Sequence, residues 1–430
     1  MPPTVSPPSR AEIEAHQRVR LRPLLDAVLR DNPFYRTKFA SAGVSSEIAT
    51  LEEFSQSVPF TLKQELVNDQ IEHPPYGSNL TYPVERYTRF SQTSGSTGQP
   101  LRWVDTQESW DWMIGNWTRV FEAAGVNAGN RVFFAFSFGP FLGFWVAFDA
   151  ASRRGCLCIP GGGMRSAARL NAILGNRATV LCCTPTYAVR LAEVAAEEKI
   201  DLAASSVRTI IVAGEAGGSI SGTSGHIQRL WHGARVVDHH GMTEVGPVSY
   251  GCPIRPGLLH VIESSYIAEV VDPRSGHPVA PGGTGELVLT NLGRLGSPLL
   301  RYRTGDLVQT APAERCECGT WDVAFPGGIL GRTDDMVVVR GVNVYPAAVE
   351  EIIRSCGGVA EYRVEVSTTH ALTELSIQIE PEPDAASDSG LAHRLETALR
   401  NAFGLRVEVV PVPSGSLPRF EMKSRRWVRV

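Results

Sequence analysis

A segment rich in glycine and hydroxyl side chains is the first part of this sequence whose residue types suit phosphate binding. Glycines let an anion approach backbone N–H groups closely, and hydroxyl groups can donate further hydrogen bonds to it. The segment lacks the Gly-Lys-Ser/Thr ending of a Walker A loop. Taken alone, it fits either a phosphate site or a plain surface turn. Its residues are Thr93, Ser94, Gly95, Ser96, Thr97 and Gly98.

A second polar motif, Asp238-His239-His240-Gly241-Met242-Thr243-Glu244, directly follows a predicted strand. The Thr243 hydroxyl could hold a phosphate oxygen. The Glu244 carboxylate could hold Mg²⁺, which prefers oxygen ligands shared with substrate phosphates. A strand-to-loop turn with satisfied polar groups is the alternative, and both histidines are as compatible with ordinary packing as with function.

Two further motifs follow at greater distance along the chain. In Tyr302-Arg303-Thr304-Gly305-Asp306-Leu307, the aspartate at a strand end could accept hydrogen bonds from both hydroxyls of a ribose. A hairpin turn is the alternative there. The polar, glycine-flanked run from Gly331 to Met336 lies between two predicted domains, which is typical of a hinge.

Two cysteines in close spacing suggest a metal site. Cys316 and Cys318, together with Cys252 and His260, offer three thiolates and one imidazole, the ligands that structural zinc prefers. Four protein ligands would close the coordination shell, so we expect a structural ion. Reduced loop cysteines are the alternative, because this Cys-x-Cys spacing is tighter than that of the usual zinc knuckle.

Aromatic residues cluster after a predicted strand, where ligands of α/β sheets tend to bind. Phe136, Phe138 and Phe141 would form a wall suited to an aryl or arylacetic acid, and Ala213 and Gly241 are assigned to the same pocket. Plain core packing is the alternative for the phenylalanines.

The elements that position these residues follow from hydrophobic periodicity. Apolar residues at helical spacing predict a helix over 11–30. Short β-rich runs at 132–138, 179–184, 209–213 and 236–239 alternate with helical segments, which predicts βα units around a mostly parallel sheet. Runs at 267–271 and 286–290, separated by turn residues, predict an antiparallel sheet or small barrel.

The last hundred or so residues form a distinct unit. They predict strands at 336–339, 362–366, 375–379 and 407–410, a helix beginning at Pro346 and another over 392–402. The predicted fold is therefore α/β. A large N-terminal domain, residues 1–331, combines mostly parallel βα subdomains with a small antiparallel sheet or barrel. A small α+β lid, residues 332–430, follows it.

The bulk composition is that of an ordinary globular protein, with 430 residues, 43% hydrophobic, 20% charged and a net charge of −4. This balance predicts no nucleic-acid partner and no membrane partner. The N-terminus lacks the apolar region of a signal peptide, which favours a cytoplasmic location. Eight cysteines in such a chain indicate free thiols or metal ligands.

Taken together and in this order, the four motifs resemble the adenylate-forming superfamily of acyl-CoA synthetases and peptide-synthetase adenylation domains. Within it, the chain is similar to the phenylacetate–CoA ligase family. The similarity depends on the short length, on Asn-Pro-Phe-Tyr at 32–35, and on Arg-Thr-Asp-Asp-Met with Arg-Gly-Val-Asn-Val-Tyr-Pro at 332–346. It covers essentially residues 20–430.

The resemblance implies roles for the residues around the phosphates. Residues 93–98 would grip the β- and γ-phosphates, Thr243 would contact the α-phosphate, and Glu244 would hold Mg²⁺. Lys423 matches the position of the family's catalytic lysine. An ammonium group there makes physical sense, since it can neutralise charge when a carboxylate attacks a phosphate. A solvated basic tail is the alternative for this residue.

The resemblance also implies a nucleoside site and a hinge. The backbone of Gly214, Glu215 and Ala216 would flank the adenine, and Asp334 would be the point about which the lid turns. The remaining implied nucleotide-binding residues are Asp238, His240, Asp306 and Arg332.

Two residues depart from the family pattern. His240 stands where an aromatic residue, usually tyrosine, stacks on adenine, and histidine can also stack. A lysine that is common just after the proline of the phosphate loop is missing, with Leu101 and Arg102 in its place.

The activity that the resemblance implies is that of an AMP-forming ligase. It would convert an aromatic acid to its acyl adenylate with ATP and Mg²⁺, and then transfer the acyl group to coenzyme A. One alternative is transfer to an amine, a carrier protein or another nucleophile. A second is a non-catalytic nucleotide-binding homologue. The acid, the acceptor and the oligomeric state, including a homodimer, stay open.

Overall fold

Four helices open the chain in this computed structural model, which describes residues 7–44, 47–93, 100–340, 342–369, 372–421 and 423–430. The first is the helix that the sequence predicts, and it begins where Ser9 and Glu12 form a capping box. Asn32 caps the second by accepting a hydrogen bond from the Tyr35 N–H. The helices are α1 (Arg10–Asp31), α2 (Pro33–Ala42), α3 (Leu51–Ser57) and α4 (Lys63–Glu72).

An antiparallel strand pair carries the predicted phosphate segment between its two strands. The pair consists of β1 (Tyr87–Gln92) and β2 (Arg102–Thr106), and α5 (Gln107–Ala123) follows it. Thr93 is held at the start of the segment, where its hydroxyl accepts a hydrogen bond from the Leu101 N–H at 3.0 Å. The other predicted phosphate residues lie outside the described part of the chain; they are Ser94, Gly95, Ser96, Thr97 and Gly98.

A parallel five-stranded sheet forms the centre of the molecule, as predicted. Its strand order is β4-β3-β5-β6-β7, and every pair in it is parallel. Its apolar strands are covered by helices that connect them, which is how parallel sheets bury both faces. The elements are β3 (Arg131–Phe134), α6 (Trp145–Arg153), β4 (Leu157–Pro160), α7 (Ser166–Gly175), β5 (Val180–Cys183), α8 (Pro185–Glu197), β6 (Thr209–Val212), α9 (Ser221–Leu230) and β7 (Arg235–Asp238).

The first strand of this sheet is shorter than the sequence predicts. A strand over 132–138 was wrong beyond Phe134, because the Phe136 N–H turns back to the Phe134 carbonyl oxygen at 2.9 Å. Phe138 then adopts a φ of 53°, which is incompatible with a strand. Phe136, Phe138 and Phe141 therefore lie in a loop beyond the carboxyl end of β3.

Short strands and antiparallel sheets complete the larger domain. One sheet has the order β10-β11-β15 and another β12-β13-β14-β16, and all their pairs are antiparallel, as the turn residues predict. The strands are β8 (Gly241–Met242), β9 (Gly246–Pro247), β10 (Ser249–Gly251), β11 (Leu258–Val261), β12 (Tyr266–Val271), β13 (Thr284–Asn291), β14 (Tyr302–Gln309), β15 (Ala324–Pro326) and β16 (Ile329–Arg332).

The C-terminal segment has a hydrophobic core of its own, formed by side chains between Val337 and Trp427. Its four-stranded sheet has the order β21-β20-β19-β22, with two helices packed together on the same core. The elements are β17 (Val337–Val339), β18 (Val342–Val344), α10 (Pro346–Cys356), β19 (Val359–Thr369), β20 (Leu372–Pro381), α11 (Leu391–Phe403), β21 (Glu408–Pro411) and β22 (Trp427–Arg429).

The basic C-terminal tail is part of this fold. β22 pairs in parallel with β19, and the buried Arg426 Nε lies 2.6 Å from the Glu361 carboxylate. Within this segment Arg426 is therefore part of the folded core, whereas Lys423, Arg425 and Arg429 are exposed.

Arg332 is the last residue of β16 and pairs with Asp306 in the sheet of the larger domain, so the predicted boundary lies one residue later. We call residues 333–430 the lid and the preceding residues the body.

The predicted α/β class is confirmed, with a parallel sheet, antiparallel sheets and a smaller α+β unit at the C-terminus. Across the described residues, none of the helices combines the length and the apolar character needed to span a membrane.

Candidate active site

A cavity of about 630 Å³ lies between the body and the lid, beyond the carboxyl ends of β6 and β7. Open α/β sheets tend to bind ligands at this edge. The cavity brings together residues that are up to 215 positions apart in the sequence, from Gly214 to Arg429. Ten of the predicted site residues line it: Gly214, Glu215, Ala216, Asp238, His240, Gly241, Asp306, Arg332, Asp334 and Lys423.

Asp306 is the centre of the polar side of this cavity. Its Oδ1 accepts a hydrogen bond from Arg332 Nη1 at 3.0 Å, and its Oδ2 lies 2.9 Å from His240 Nε2. Arg332 can pass this close because residue 305 is a glycine, where a Cβ atom would lie 2.6 Å from Nη2. Each carboxylate oxygen keeps a second lone pair for a ribose hydroxyl. The pairing of His240 with Asp306 was not foreseen from the sequence.

Asp238 is the last residue of β7, and its side chain accepts a hydrogen bond from the backbone. Its Oδ1 accepts a hydrogen bond from the His239 N–H at 3.0 Å, and burial raises its pKa. The centroids of the His239 and Trp117 rings lie 4.3 Å apart, and burial lowers the pKa of His239 to about 3. This histidine is therefore neutral, and its packing resembles that of an ordinary core residue.

Thr243 and Glu244 lie on a turn that a buried ion pair supports. Arg294 Nη1 donates hydrogen bonds to the carbonyl oxygens of both residues, at 2.7 and 2.9 Å. The same guanidinium contacts both Asp105 carboxylate oxygens at 2.6 Å, and both partners are fully buried. Breaking a pair of this kind would leave an uncompensated buried charge, so the ion pair favours this conformation of the turn. Nothing in the sequence around Arg294 pointed to this role.

Lys63, the first residue of α4, contributes a cation that sequence reasoning missed. Its Nζ lies 3.1 Å from Oε1 of the nearly buried Glu244. The ammonium therefore stands beside the residue predicted to hold Mg²⁺, in a chain that lacks the lysine common after the phosphate loop.

Replacing Lys63 by Ala is expected to lower kcat/KM for adenylation by about 10- to 100-fold, because a positive charge near the phosphates would be lost. The measurement is acid-dependent exchange of labelled pyrophosphate into ATP. Lys38→Ala is the matched control. Lys38 lies on α2 and pairs at 2.5 Å with Glu65, which is on α4 like Lys63, and Lys38 does not contact Glu244. Equal activities of the two variants would remove Lys63 from the site.

Lys423 approaches the cavity from the lid side. A Cβ atom built on Gly214 would lie 3.7 Å from its Cε, so the lysine side chain passes directly over the segment predicted to flank the adenine. Gly214 has a φ of 96°, a conformation that favours glycine. The lid thus places a cation against the body segment that is predicted to flank the adenine.

Of the five residues predicted to form the acyl pocket, Gly241 alone lines this cavity. Among the described residues, the cavity lining does not include Phe136, Phe138, Phe141 or Ala213, nor does it include Thr243 and Glu244. The Phe136 and Phe138 rings pack against each other with centroids 5.4 Å apart. Such contacts suit a pocket wall and plain core alike, so the role of these residues stays a prediction.

The predicted zinc ligands converge in space. The ligand atoms of Cys252, His260, Cys316 and Cys318 all lie within 4.8 Å of one another. His260 Nδ1 lies 3.2 Å from the Asp322 carbonyl oxygen, which orients Nε2 towards the Cys318 sulfur at 3.6 Å. An imidazole held by a carbonyl in this way is common at metal sites. The donor set and its geometry fit a structural zinc ion.

Comparison with known proteins identifies the family. Residues 90–293 match the model for AMP-binding enzymes, and residues 341–429 match that for the C-terminal domain of AMP-binding enzymes. Phenylacetate-coenzyme A ligase from Thermus thermophilus is 31% identical over 96% of this chain and 95% of its own. The chain belongs to the phenylacetate–CoA ligase family. The Escherichia coli member is 30% identical over 96% of this chain and 94% of its own.

A solved relative shows which arrangement of the lid this family member adopts. 2-Hydroxyisobutyryl-CoA ligase in a postadenylation state matches with a TM-score of 0.94 at 27% identity, covering 100% of this chain and 94% of the other. The same enzyme in a thioesterification state matches with a TM-score of only 0.74 at 28% identity, covering 99% and 91%. The body and lid described above are therefore arranged as in the postadenylation state.

Proposed function

We propose that the chain is an AMP-forming ligase that activates an aryl or arylacetic acid as its acyl adenylate and transfers the acyl group to coenzyme A. The observation that carries this proposal is the meeting of Lys423 from the lid with the Asp306, Arg332 and His240 cluster in one cavity. An aromatic acid agrees with the names of the relatives and with the phenylalanine cluster after β3.

In the first step, an oxygen of the substrate carboxylate attacks the α-phosphorus of ATP. The bond from this phosphorus to the bridging oxygen of the β-phosphate breaks, and pyrophosphate leaves. Asp306 orients the ribose, and the Lys423 ammonium neutralises the charge that develops around the α-phosphate. Thr243 would contact that phosphate, and Glu244 would hold Mg²⁺ that arrives with the nucleotide.

In the second step, the sulfur of coenzyme A attacks the acyl carbonyl carbon and the thiol proton is lost to solvent. The bond from this carbon to the phosphate oxygen breaks, and AMP leaves. The lid would turn about Asp334, which lies in the exposed turn between β16 and β17. Asp334 accepts a hydrogen bond from Arg332 Nε at 3.0 Å, and this contact links the hinge to the ribose site.

Release of pyrophosphate across a panel of aryl and arylacetic acids, with and without coenzyme A, tests the proposal. Pyrophosphate exchange that depends on an aromatic acid is expected. AMP release that requires an amine or a carrier protein instead of coenzyme A would favour the alternative acceptor. A complete lack of acid-dependent exchange would favour the non-catalytic homologue.

We further propose that the Cys252, His260, Cys316 and Cys318 cluster holds one structural zinc ion. Elemental analysis is expected to find about one zinc per chain. Cys318→Ser should lose this zinc and lower the midpoint of thermal unfolding, because binding of a structural metal contributes to folding. Cys356→Ser is the control, since Cys356 lies on α10 outside the cluster. A protein that folds and melts normally without zinc would contradict the proposal.

A cytoplasmic location belongs to the same proposal, because ATP and coenzyme A are available there and thiols stay reduced. Fractionation of cells that produce the protein would test it. A homodimer stays a prediction, which sedimentation of the purified protein tests directly.

A further inference from the structure

A single carboxylate links the body to the lid beside Lys423. Glu215, in the loop after β6, accepts a hydrogen bond from the Thr186 N–H through Oε1 at 2.9 Å and one from the Ser424 N–H through Oε2 at 3.0 Å. Thr186 lies in the first turn of α8 in the body, whereas Ser424 directly follows Lys423 in the lid. The two oxygens therefore serve two different parts of the molecule.

The surroundings of the Glu215 carboxylate make its hydrogen bonds to the body and the lid sensitive to substitution of this residue. The residue lines the cavity, yet its carboxylate lies deep enough that burial raises its pKa, while the hydrogen bonds at Thr186 and Ser424 act in the opposite direction. The two closer donors are backbone N–H groups, and the Ser424 hydroxyl is a longer third donor at 3.5 Å from Oε2. A carboxylate accepts such hydrogen bonds with charge assistance. Removing one acceptor would leave a buried donor without a partner, which costs more than the bond itself contributes.

The link also sets the register between the two surfaces that meet at the nucleotide. Glu215 accepts the hydrogen bond from Ser424. The residues that precede these two, Gly214 and Lys423, are also in contact, because Lys423 Cε lies 3.7 Å from a Cβ atom built on Gly214. Other contacts between body and lid lie elsewhere. Glu193 meets Arg419 at 3.4 Å, and the Glu351 carboxylate accepts from the Gly222 N–H at 2.8 Å.

We propose that Glu215 is a positioning residue for adenylation, which fixes Lys423 over the nucleotide by holding the Ser424 N–H. The inference goes beyond the nucleotide-flanking role of the 214–216 backbone and rests on the proposed function. Any turn of the lid that withdraws Lys423 must break the bond to Ser424, while the bond to Thr186 within the body persists. The anchor therefore serves the first step and is released for the second.

Glu215→Gln tests this role with almost no change in shape. The amide keeps one acceptor oxygen but turns an NH2 group towards one of the two N–H donors. We expect kcat for pyrophosphate exchange to fall by about 10- to 100-fold, while KM for ATP changes by less than about threefold. Conversion of a pre-made acyl adenylate to the thioester should fall far less. A raised KM for ATP with unchanged kcat would overturn the proposal.

Two further variants separate positioning from general loosening of the interface. Glu193→Gln removes a different body–lid contact and is expected to leave the exchange rate nearly unchanged. In a Lys423→Ala background, Glu215→Gln should cause no further loss, because residues that act through one another are not additive. Additive losses, or an equal loss from Glu193→Gln, would show a merely structural role.

Glu215→Asp keeps the charge but is too short to hold both donors, and it gives a second measurement if the amide variant folds poorly. We expect a loss in exchange rate with the same KM pattern, and wild-type rates for this variant would overturn the proposal. Wild-type protein without any acid-dependent exchange would instead overturn the proposed function. Exchange that depends on Lys423 but not on Glu215 would overturn only the present inference.

Discussion

Replacing Lys423 by Ala is expected to lower the rate of acyl-adenylate formation by about 100- to 1,000-fold, because the ammonium acts on charge that develops in the transition state. The side chain lies against the segment at Gly214 in this arrangement of the lid. Thioesterification of a pre-made adenylate should be largely retained, since the proposed turn of the lid would withdraw Lys423 before that step. Pyrophosphate exchange measures the first step, and single-turnover thioester formation measures the second.

Arg425→Ala is the control for this experiment. Arg425 is an exposed cation two positions after Lys423, in the same segment that precedes β22, and it also lines the cavity. If the tail acted only through its general positive charge, both variants would slow adenylation alike. An equal loss of the two half-reactions in Lys423→Ala would contradict the assigned role.

Replacing Asp306 by Asn is expected to reduce kcat/KM for ATP by about 100-fold or more, because two charge-assisted hydrogen bonds to the ribose would be weakened together. The substitution also disturbs the contacts that Asp306 makes with Arg332 and His240. Initial rates of pyrophosphate exchange at varied ATP measure the effect.

A comparison of nucleotides separates ribose recognition from a general loss of structure. Wild-type protein should discriminate against 2′-deoxy-ATP, and the Asp306 variant should lose most of that discrimination. Asp335→Asn is the matched control, because Asp335 is an exposed acid in the same cavity lining without a contact to Asp306. Undiminished discrimination in the Asp306 variant would place the ribose elsewhere.

Much of the fold could be predicted because its strands are short apolar runs between helical segments. The strands that became β5, β6 and β7 were recognised within one or two residues at each end. The prediction that 132–138 is one strand was wrong, since aromatic residues in a loop have the same composition as a buried strand. The burial of Arg426 in the basic tail could not be predicted, because its partners Glu361, Glu350 and Tyr362 are distant in the sequence.

Within the site, sequence motifs predicted residues such as Asp306 and Lys423, because the residues next to them in the sequence form a recognisable pattern. Sequence alone did not reveal partners that only the tertiary fold brings together. Arg294 and Asp105 are 189 positions apart, and Glu215 and Ser424 are 209 apart. Lys63 was missed for the same reason, because a lysine at the start of a helix is an ordinary surface residue until Glu244 is placed beside it.

The central claim is that the enzyme forms an acyl adenylate in one cavity and then transfers the acyl group to coenzyme A. The most direct measurement follows AMP and acyl-CoA together in one reaction with ATP, Mg²⁺, an aromatic acid and coenzyme A. We expect the two products to appear in equal amounts, and enzyme-bound acyl adenylate to accumulate when coenzyme A is omitted. Formation of ADP, or AMP without any acyl-CoA when coenzyme A is present, would contradict this account.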